Sequence, residues 1–199
     1  MNNASDSADK GSKFAEFLDG LVRNNNRAAL AALRRGLGKP PGTAPEMHPY
    51  VAPWLGSDTK PWQDDAYYVV AALFALHQKS WHRAADATRP TNLGASFAWL
   101  ARETKSESIE KRFVALLNCH RDDLPAHLQH AVSLLKSKEV PIDWAQLLAD
   151  VRRWGFETRG VQRKWAKAFW GNSPSTAPAS SEQGTSEAAA EDDSKNQGN

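Results

Sequence analysis

The sequence predicts an all-α fold of seven to nine helices in two packed bundles, with disordered N- and C-terminal tails. Apolar residues recur at helical spacing, as Phe14, Phe17, Leu18 and Leu21 do, and the same spacing returns over residues 109–117 and 144–151. The sequence contains no alternating run of β-branched residues, so no strand is predicted. The chain of 199 residues is long enough for one domain with a substantial core, or for two small helical lobes.

Four segments follow in order along the chain. Residues 1–12 and 172–199 have no aromatic or branched aliphatic side chain to bury, so we predict that both are disordered. Residues 13–90 are predicted to form an N-terminal helical bundle, interrupted over residues 38–63 by a loop whose prolines exclude a long helix. Tyr50, Val51, Trp54 and Leu55 are expected to hold this loop against the body. Residues 91–171 are predicted to form a C-terminal bundle with a basic surface.

Polar residues before apolar runs predict where several helices begin. Asp64 or Asp65, Ser108, Asp143 and Thr158 each precede such a run and can cap a helix N-terminus. In the segment after residue 118, Asp122 and Asp123 are expected to precede a helix whose first turn contains Pro125.

Charge is distributed unevenly along the chain. The formal net charge is +2, but residues 172–199 carry −4 and residues 1–12 carry −1, which leaves +7 on residues 13–171. A basic body favours a polyanionic partner. The one cysteine excludes an intramolecular disulfide and fits a reducing compartment, and no long apolar run or leader is present, so we predict a soluble, cytoplasmic protein.

Residues 108–130, SIEKRFVALLNCHRDDLPAHLQH, contain three of the six histidines and the only cysteine. His127 and His130 can converge at i and i+3, but no third ligand accompanies them at a recognisable spacing, and a metal site needs three or four. Cys119 is expected to be a small core residue and His120 a half-buried side chain at a helix end. No nucleophile with an oriented base is recognisable either, so we predict no metal, no other cofactor and no enzymatic activity.

Basic residues at helical spacing are the most informative polar feature. Arg159, Arg163 and Lys167 stand at i, i+4 and i+8 and are expected to form a stripe on the outer face of the last helix. Arg152 and Arg153 end the preceding helix. Acidic partners at i+4 are scarce, and like charges on one face cost stability, so their accumulation favours a bound polyanion. Trp170, Trp54 and Trp62 are candidates for stacking on unpaired bases. Most of the eight tryptophans are expected in the core, and Trp170 beside the stripe is the one expected to be exposed.

Five segments occur in order over roughly residues 13–171: ALAALRRGLGKPPG, DAYYVVAALFALH, EKRFVALL, DWAQLLADVRRW and RKWAKAFWG. In these segments the chain resembles the CasB family, the small subunits of the type I-E CRISPR surveillance complex called Cascade. The resemblance implies an all-helical, non-catalytic subunit that pairs with a second copy, contacts the backbone and large subunits, and helps to hold the displaced DNA strand once guide RNA has paired with target DNA. The basic positions that it implicates are Arg27, Arg34, Arg35, Lys111, Arg112, Arg121, Arg152 and Arg153.

An alternative function remains open on the sequence alone. Residues 143–154 and 158–170, joined by a short turn with Gly155, also mimic a helix-turn-helix, in which Arg159, Gln162 and Arg163 would contact base edges in the major groove. A separate hypothesis concerns the acidic segment 172–199, which we expect to compete weakly for the basic face.

Overall fold

The structure is a computed structural model that describes residues 3–56, 59–81 and 91–171, with side chains described from residue 10 onward. Within these ranges the chain forms nine α-helices and no β-strand; an isolated bridge joins Ser80 and Ile142. The helices are α1 (Asn3–Arg23), α2 (Arg27–Arg34), α3 (His48–Val51), α4 (Pro61–Leu76), α5 (Leu93–Thr104), α6 (Glu107–Asn118), α7 (Leu124–Ser137), α8 (Trp144–Val151) and α9 (Gly160–Trp170). The all-α prediction is confirmed. None of the described helices is long and apolar enough to cross a bilayer.

Helix α1 begins ten residues before the predicted start of order. It includes residues 3–12, which composition had placed in a disordered tail, so the helix extends further than predicted. Gly11 is buried, and a Cβ at that position would lie 3.8 Å from a methyl carbon of Leu148 on α8. Gly11 thus packs closely against α8, a contact that composition does not reveal. The predicted disorder of residues 172–199 lies outside the described residues.

The proline-rich loop packs against the body as expected. It contains two single 3₁₀ turns, Pro45–Met47 and Ala52–Trp54, on either side of the four-residue helix α3. Val51 is fully buried, and the ring of Trp54 lies 5.4 Å from the rings of both Phe14 and Phe17. Trp54 is thus half-buried and packed against the hydrophobic core, and these ring contacts occupy part of the surface with which it could stack on a base. The last three residues of the predicted loop, 61–63, belong to α4, because Pro61 is favourable in the first turn of a helix.

The helices form two packed groups that share one hydrophobic core. Helix α2 packs on α1 and α4, whereas α5 packs on α6, α7 and α9. Helix α8 follows α7 in the chain but packs against α1 and α4, so it joins the N-terminal helices. Trp165 of α9 is fully buried, and Gly94 of α5 lies against its carbonyl, where a Cβ would overlap the backbone. The predicted division near residue 90 falls in 82–90, outside the described residues, and stays a prediction.

Candidate nucleic-acid interface

Two side chains fix α9 antiparallel to α6. At the start of α9, the Arg159 guanidinium donates to the carbonyl oxygen of Leu117, in the last turn of α6, at 2.7 Å. At the other end, the Trp170 indole N–H donates to a carboxylate oxygen of Glu110, near the start of α6, at 3.1 Å. Between these anchors Phe169 stacks on Phe113 with 4.5 Å between ring centroids. Helix α9 is therefore positioned along its whole length.

The outer face of α9 carries cations that form no ion pair with a described carboxylate. Arg163, Lys164 and Lys167 are exposed, and none of the described carboxylates lies within 4.0 Å of them. Sequence analysis predicted Arg163 and Lys167 on this face and missed Lys164, which lies one residue off the i, i+4, i+8 spacing. Because α9 is fixed, this α9 face (Arg163, Lys164, Lys167) presents its positive charge to solvent or to an external anion.

The eight-residue connection from 152 to 159, the α8–α9 connection, continues the positive charge toward α7. It forms one wall of a cavity of about 390 Å³ whose opposite wall is the α6–α7 turn, residues 118–122. We call this space the connection cavity. Arg121 lies in its wall, with its guanidinium 5.0 Å from the Trp62 ring centroid and against the backbone of Gly155, and Arg159 reaches the same cavity. Arg153 and Phe156 of the connection are exposed.

The eleven predicted basic residues divide into two groups by what they contact. Six are engaged within the protein: Arg27 donates to the side chain of Asn25, Arg34 donates to Ala75 O at the end of α4, Arg35 pairs with Glu46 at 3.0 Å, Arg121 and Arg152 lie over the rings of Trp62 and Tyr67, and Arg159 caps α6. The other five, Lys111, Arg112, Arg153, Arg163 and Lys167, are exposed without a described carboxylate within 4.0 Å.

These residues do not all share one surface. Arg121, Arg153 and Arg159 meet around the α8–α9 connection, and Arg163 and Lys167 continue from there along α9. Arg27, Arg34 and Arg35 belong to α2 and its C-terminal end, and the packing partners of α2 are α1 and α4, so no described contact joins them to α9. Helical spacing turns Lys111 and Arg112 away from the edge of α6 that Glu110 presents to Trp170. The predicted basic residues that lie near one another are thus those of the α9 face and the α8–α9 connection, which also carries the exposed Glu157.

The helix-turn-helix interpretation fails on geometry. Helix α8 ends at Val151, so eight residues, and not the three or four of that motif, separate it from α9. Gln162, predicted to contact base edges, is only 8% exposed and donates to the Trp154 carbonyl at 3.1 Å. Arg159, predicted as a second base contact, is committed to capping α6. Of the three side chains that this motif would direct at base edges, only Arg163 is thus exposed and without such an engagement.

The surroundings of the tryptophans differ from those expected. Trp170 is exposed as predicted, at 38%, but its ring contacts those of Phe113 and Phe169, and Glu110 binds its N–H. Lys60, which sequence analysis did not consider, lies 5.0 Å from the centroid of Trp62. Phe156, at 50%, is more exposed than any tryptophan described and was missed, because a single aromatic residue in an irregular connection has no periodicity to reveal it.

The cysteine and histidines of residues 108–130 are not assembled into a metal site. Burial is the main cause that raises the pKa of the Cys119 thiol to about 11, so it stays protonated and is a poor ligand or nucleophile near neutral pH. His120 points into solvent, which corrects its predicted half-burial, because α6 ends two residues earlier at Asn118. Among the described residues, no group of three or more His, Cys, Asp or Glu side chains could hold a metal ion.

Comparison with known proteins agrees with this architecture. A model of the family described as CRISPR-associated protein Cse2 matches residues 29–170. The chain belongs to the Cse2 family. A CRISPR-associated protein Cse2 from Thermus thermophilus is 39% identical over 160 residues, which are 78% of this chain and 88% of the relative.

Solved Cse2-family structures share the helical arrangement. A crystal structure of CasB from M. ruber is similar with a TM-score of 0.67 at 32% identity, covering 81% of this chain and 92% of that one. A chain in a solved CRISPR RNA-guided surveillance complex has a TM-score of 0.70 at 32% identity, covering 82% and 92%. The resemblance to the CasB family stated from the sequence is confirmed.

Proposed function

We propose that this Cse2-family chain is a non-catalytic subunit of a type I-E CRISPR surveillance complex in the cytoplasm, and that it binds nucleic acid without regard to sequence. The α9 face and the α8–α9 connection would form the contact surface. The observation that carries the proposal is the charge of this surface, where Arg153, Arg163, Lys164 and Lys167 are exposed without a described carboxylate within 4.0 Å. Such a surface attracts phosphates and offers no ordered set of donors and acceptors for reading bases.

The proposed role is to stabilise the displaced DNA strand and thereby the R-loop. Exchange of a DNA duplex for an RNA–DNA hybrid is nearly balanced in free energy, so modest contacts between protein and backbone decide whether the open state persists. Arginine and lysine contacts to phosphate supply this energy by counterion release, with a log–log salt slope of about 0.7 for each phosphate neutralised on a single strand. No catalytic group is needed for such a role.

The proposed partners follow from membership of the complex. They are the guide RNA, the target DNA with its displaced strand, the backbone and large subunits, and a second copy of this chain. Among the solved structures similar to it, two are described as CRISPR RNA-guided surveillance complexes, one of them in a pre-nicking state. Co-purification of the full-length chain with a guide RNA and the remaining subunits tests these partners together.

A matched pair of double variants tests the proposed surface. Arg163→Glu with Lys167→Glu reverses two charges on the α9 face, and Lys136→Glu with Lys138→Glu makes the same change in net charge at exposed positions near the end of α7. We expect the first variant to bind single strands more weakly, with a salt slope smaller by about 0.7 for each phosphate that is no longer neutralised. The second variant should bind as the unchanged chain does.

Sequence independence is tested in the same titrations by competition. Single strands and scrambled duplexes of several sequences should compete to similar extents, whereas a sequence-reading protein would prefer one duplex by orders of magnitude. Equal weakening by the two double variants would mean that only net charge matters, and the α9 face would then have no special role. Circular dichroism at equal concentration verifies that both variants keep their helix content.

A further inference from the structure

We propose that the connection cavity binds one unpaired nucleobase, which stacks on the ring of Phe156. This inference rests on the proposed function and extends it, because it names which part of a nucleic acid leaves the phosphate-binding surface and where it goes. Proteins that bind single strands irrespective of sequence combine a positive groove with aromatic side chains on which bases stack. The α9 face supplies the groove, and Phe156 is positioned to supply the aromatic side chain.

Phe156 is presented to solvent by a well-ordered turn. Its backbone N–H donates to the Arg153 carbonyl at 3.2 Å, and its own carbonyl accepts from the Arg159 N–H at 2.9 Å. Its side chain is 50% exposed and makes no ring contact with another described aromatic residue. These backbone bonds fix the position from which the Phe156 ring projects into solvent.

The ring of Trp170 is less suited to base stacking than that of Phe156, although it is larger. Its ring is occupied by contacts with Phe113 at 5.6 Å and Phe169 at 4.8 Å between centroids. The Glu110 carboxylate that accepts from its indole N–H would also repel the phosphates on either side of a stacked base. The structure therefore favours Phe156 over the tryptophan that the sequence pattern singled out.

The walls of the connection cavity suit a nucleotide. Its volume of about 390 Å³ falls in the usual range of small-ligand sites, about 300–1,000 Å³. Arg121 is held in place between Trp62 and Gly155, and Arg159 is fixed by one of its five N–H groups on Leu117 O, which leaves the others for a ligand. Asp122 lines the opposite side and Glu157 is exposed next to Phe156 in the chain, so the phosphates that flank the base are expected on the side of Arg159, away from both carboxylates.

The chemistry of this site selects for single strands. A base inside a duplex has both faces covered by its neighbours, so only an unpaired base has a free face for Phe156. Every base has such a face, so stacking here is compatible with binding that ignores sequence. The same chemistry is available from the displaced DNA strand and from an unpaired part of the guide RNA.

Fluorescence of 2-aminopurine tests the proposal on the full-length chain. One 2-aminopurine is placed in the middle of a short oligothymidine strand, and its quenching by stacking is followed during titration, with a fully paired duplex of the same strand as comparison. Phe156→Leu keeps an apolar side chain but removes the aromatic ring, and Phe156→Tyr keeps the ring. Trp99→Leu is the control, because it removes the aromatic ring of another exposed residue, which is 37% exposed. An RNA strand of the same sequence distinguishes the two sources of the base.

We expect quenching by the unchanged chain, Phe156→Tyr and Trp99→Leu, and with Phe156→Leu a loss of quenching and about 5- to 150-fold weaker binding of the strand. The paired duplex should show no quenching. Salt-dependent binding without quenching, or equal affinity and quenching with Phe156→Leu, overturns the inference and leaves the proposed function standing. Absence of salt-dependent binding to any strand overturns both the stacking of a base on Phe156 and the proposed function.

Discussion

Replacing Arg159 tests whether this arginine stabilises the fold rather than binding nucleic acid. Arg159 was predicted to contact nucleic acid, but its guanidinium donates at 2.7 Å to the Leu117 carbonyl, one of the last carbonyls of α6 without a partner inside that helix. A hydrogen bond from a charged group contributes about 1.5–3 kcal/mol, and a cation at a helix C-terminus adds about 0.3–1 kcal/mol. Arg159→Ala should therefore lower the free energy of unfolding by about 2–3 kcal/mol.

The backbone of Arg159 sharpens this prediction. Its φ of 47° and ψ of 35° lie in the left-handed region, which costs a residue with a Cβ about 1–2 kcal/mol and costs glycine almost nothing. Arg159→Gly loses the same hydrogen bond as Arg159→Ala but gains this relief. We expect the order of stability to be unchanged chain, then Arg159→Gly, then Arg159→Ala.

Thermal unfolding followed by circular dichroism measures this order. At about 2–4 °C for each kcal/mol in a chain of this size, Arg159→Ala should lower Tm by roughly 4–12 °C. Arg163→Ala removes the same side chain one turn later from an exposed position and should change the free energy of unfolding by no more than about 0.5 kcal/mol. Equal Tm values for Arg159→Ala and Arg163→Ala, or an alanine variant more stable than the glycine variant, would refute the assigned cap and its backbone strain.

Three further predictions concern a close approach, a buried carboxyl and the acidic tail. Gly94→Ala should unfold at a clearly lower temperature than Ala95→Gly, because its Cβ would overlap the Trp165 backbone. Burial raises the pKa of Asp150 from 3.8 to about 6, so its contribution to stability is full below about pH 4 and is lost as pH rises through 6. Asp150→Asn should remove this decline of about 3 kcal/mol in the free energy of unfolding. Identical pH profiles of Tm for the variant and the unchanged chain would contradict it. Truncation after Gly171 should tighten binding of single strands at low salt, and unchanged affinity would exclude competition by residues 172–199.

Local sequence signals predicted helices well and their ends less well. Asp143 caps α8 as predicted, with its carboxylate accepting from the Gln146 N–H at 2.9 Å. Asp64 and Asp65 lie inside α4, because the helix starts earlier at Pro61. Thr158 was expected to start α9, but the position before its first residue belongs to Arg159 in the left-handed conformation. The start of α4 follows from local residues, Pro61 and the Lys60–Gln63 capping pair, whereas the start of α9 follows from the contact of Arg159 with α6, which a local pattern does not contain.

The roles of individual arginines could not be predicted from spacing. Arg159, Arg163 and Lys167 share an i, i+4, i+8 pattern, yet the first caps α6 and the others are exposed. Arg34 likewise caps α4 through the Ala75 carbonyl, 41 positions away in sequence. Capping at such distance depends on which helix ends meet in the folded chain. The sequence therefore indicates that the surface is basic. Only the fold distinguishes the arginines that cap helices from the cations that remain exposed and can bind phosphate.

The division between capping and exposed cations explains how a stable fold can carry several positive charges on the α9 face. Repulsion between neighbouring cations on a helix costs about 0.2–0.5 kcal/mol for each pair, which is smaller than the contribution of the Arg159 cap or of burying Trp165 and Phe169 on the inner face. Anchors at both ends of α9 keep Arg163, Lys164 and Lys167 together despite this cost. A bound phosphate chain relieves the repulsion, so the same charges that weaken the free protein slightly should strengthen its complex. Stability and binding should consequently respond in opposite directions when Lys164 is replaced by Gln: Tm unchanged or slightly higher, and affinity for single strands lower.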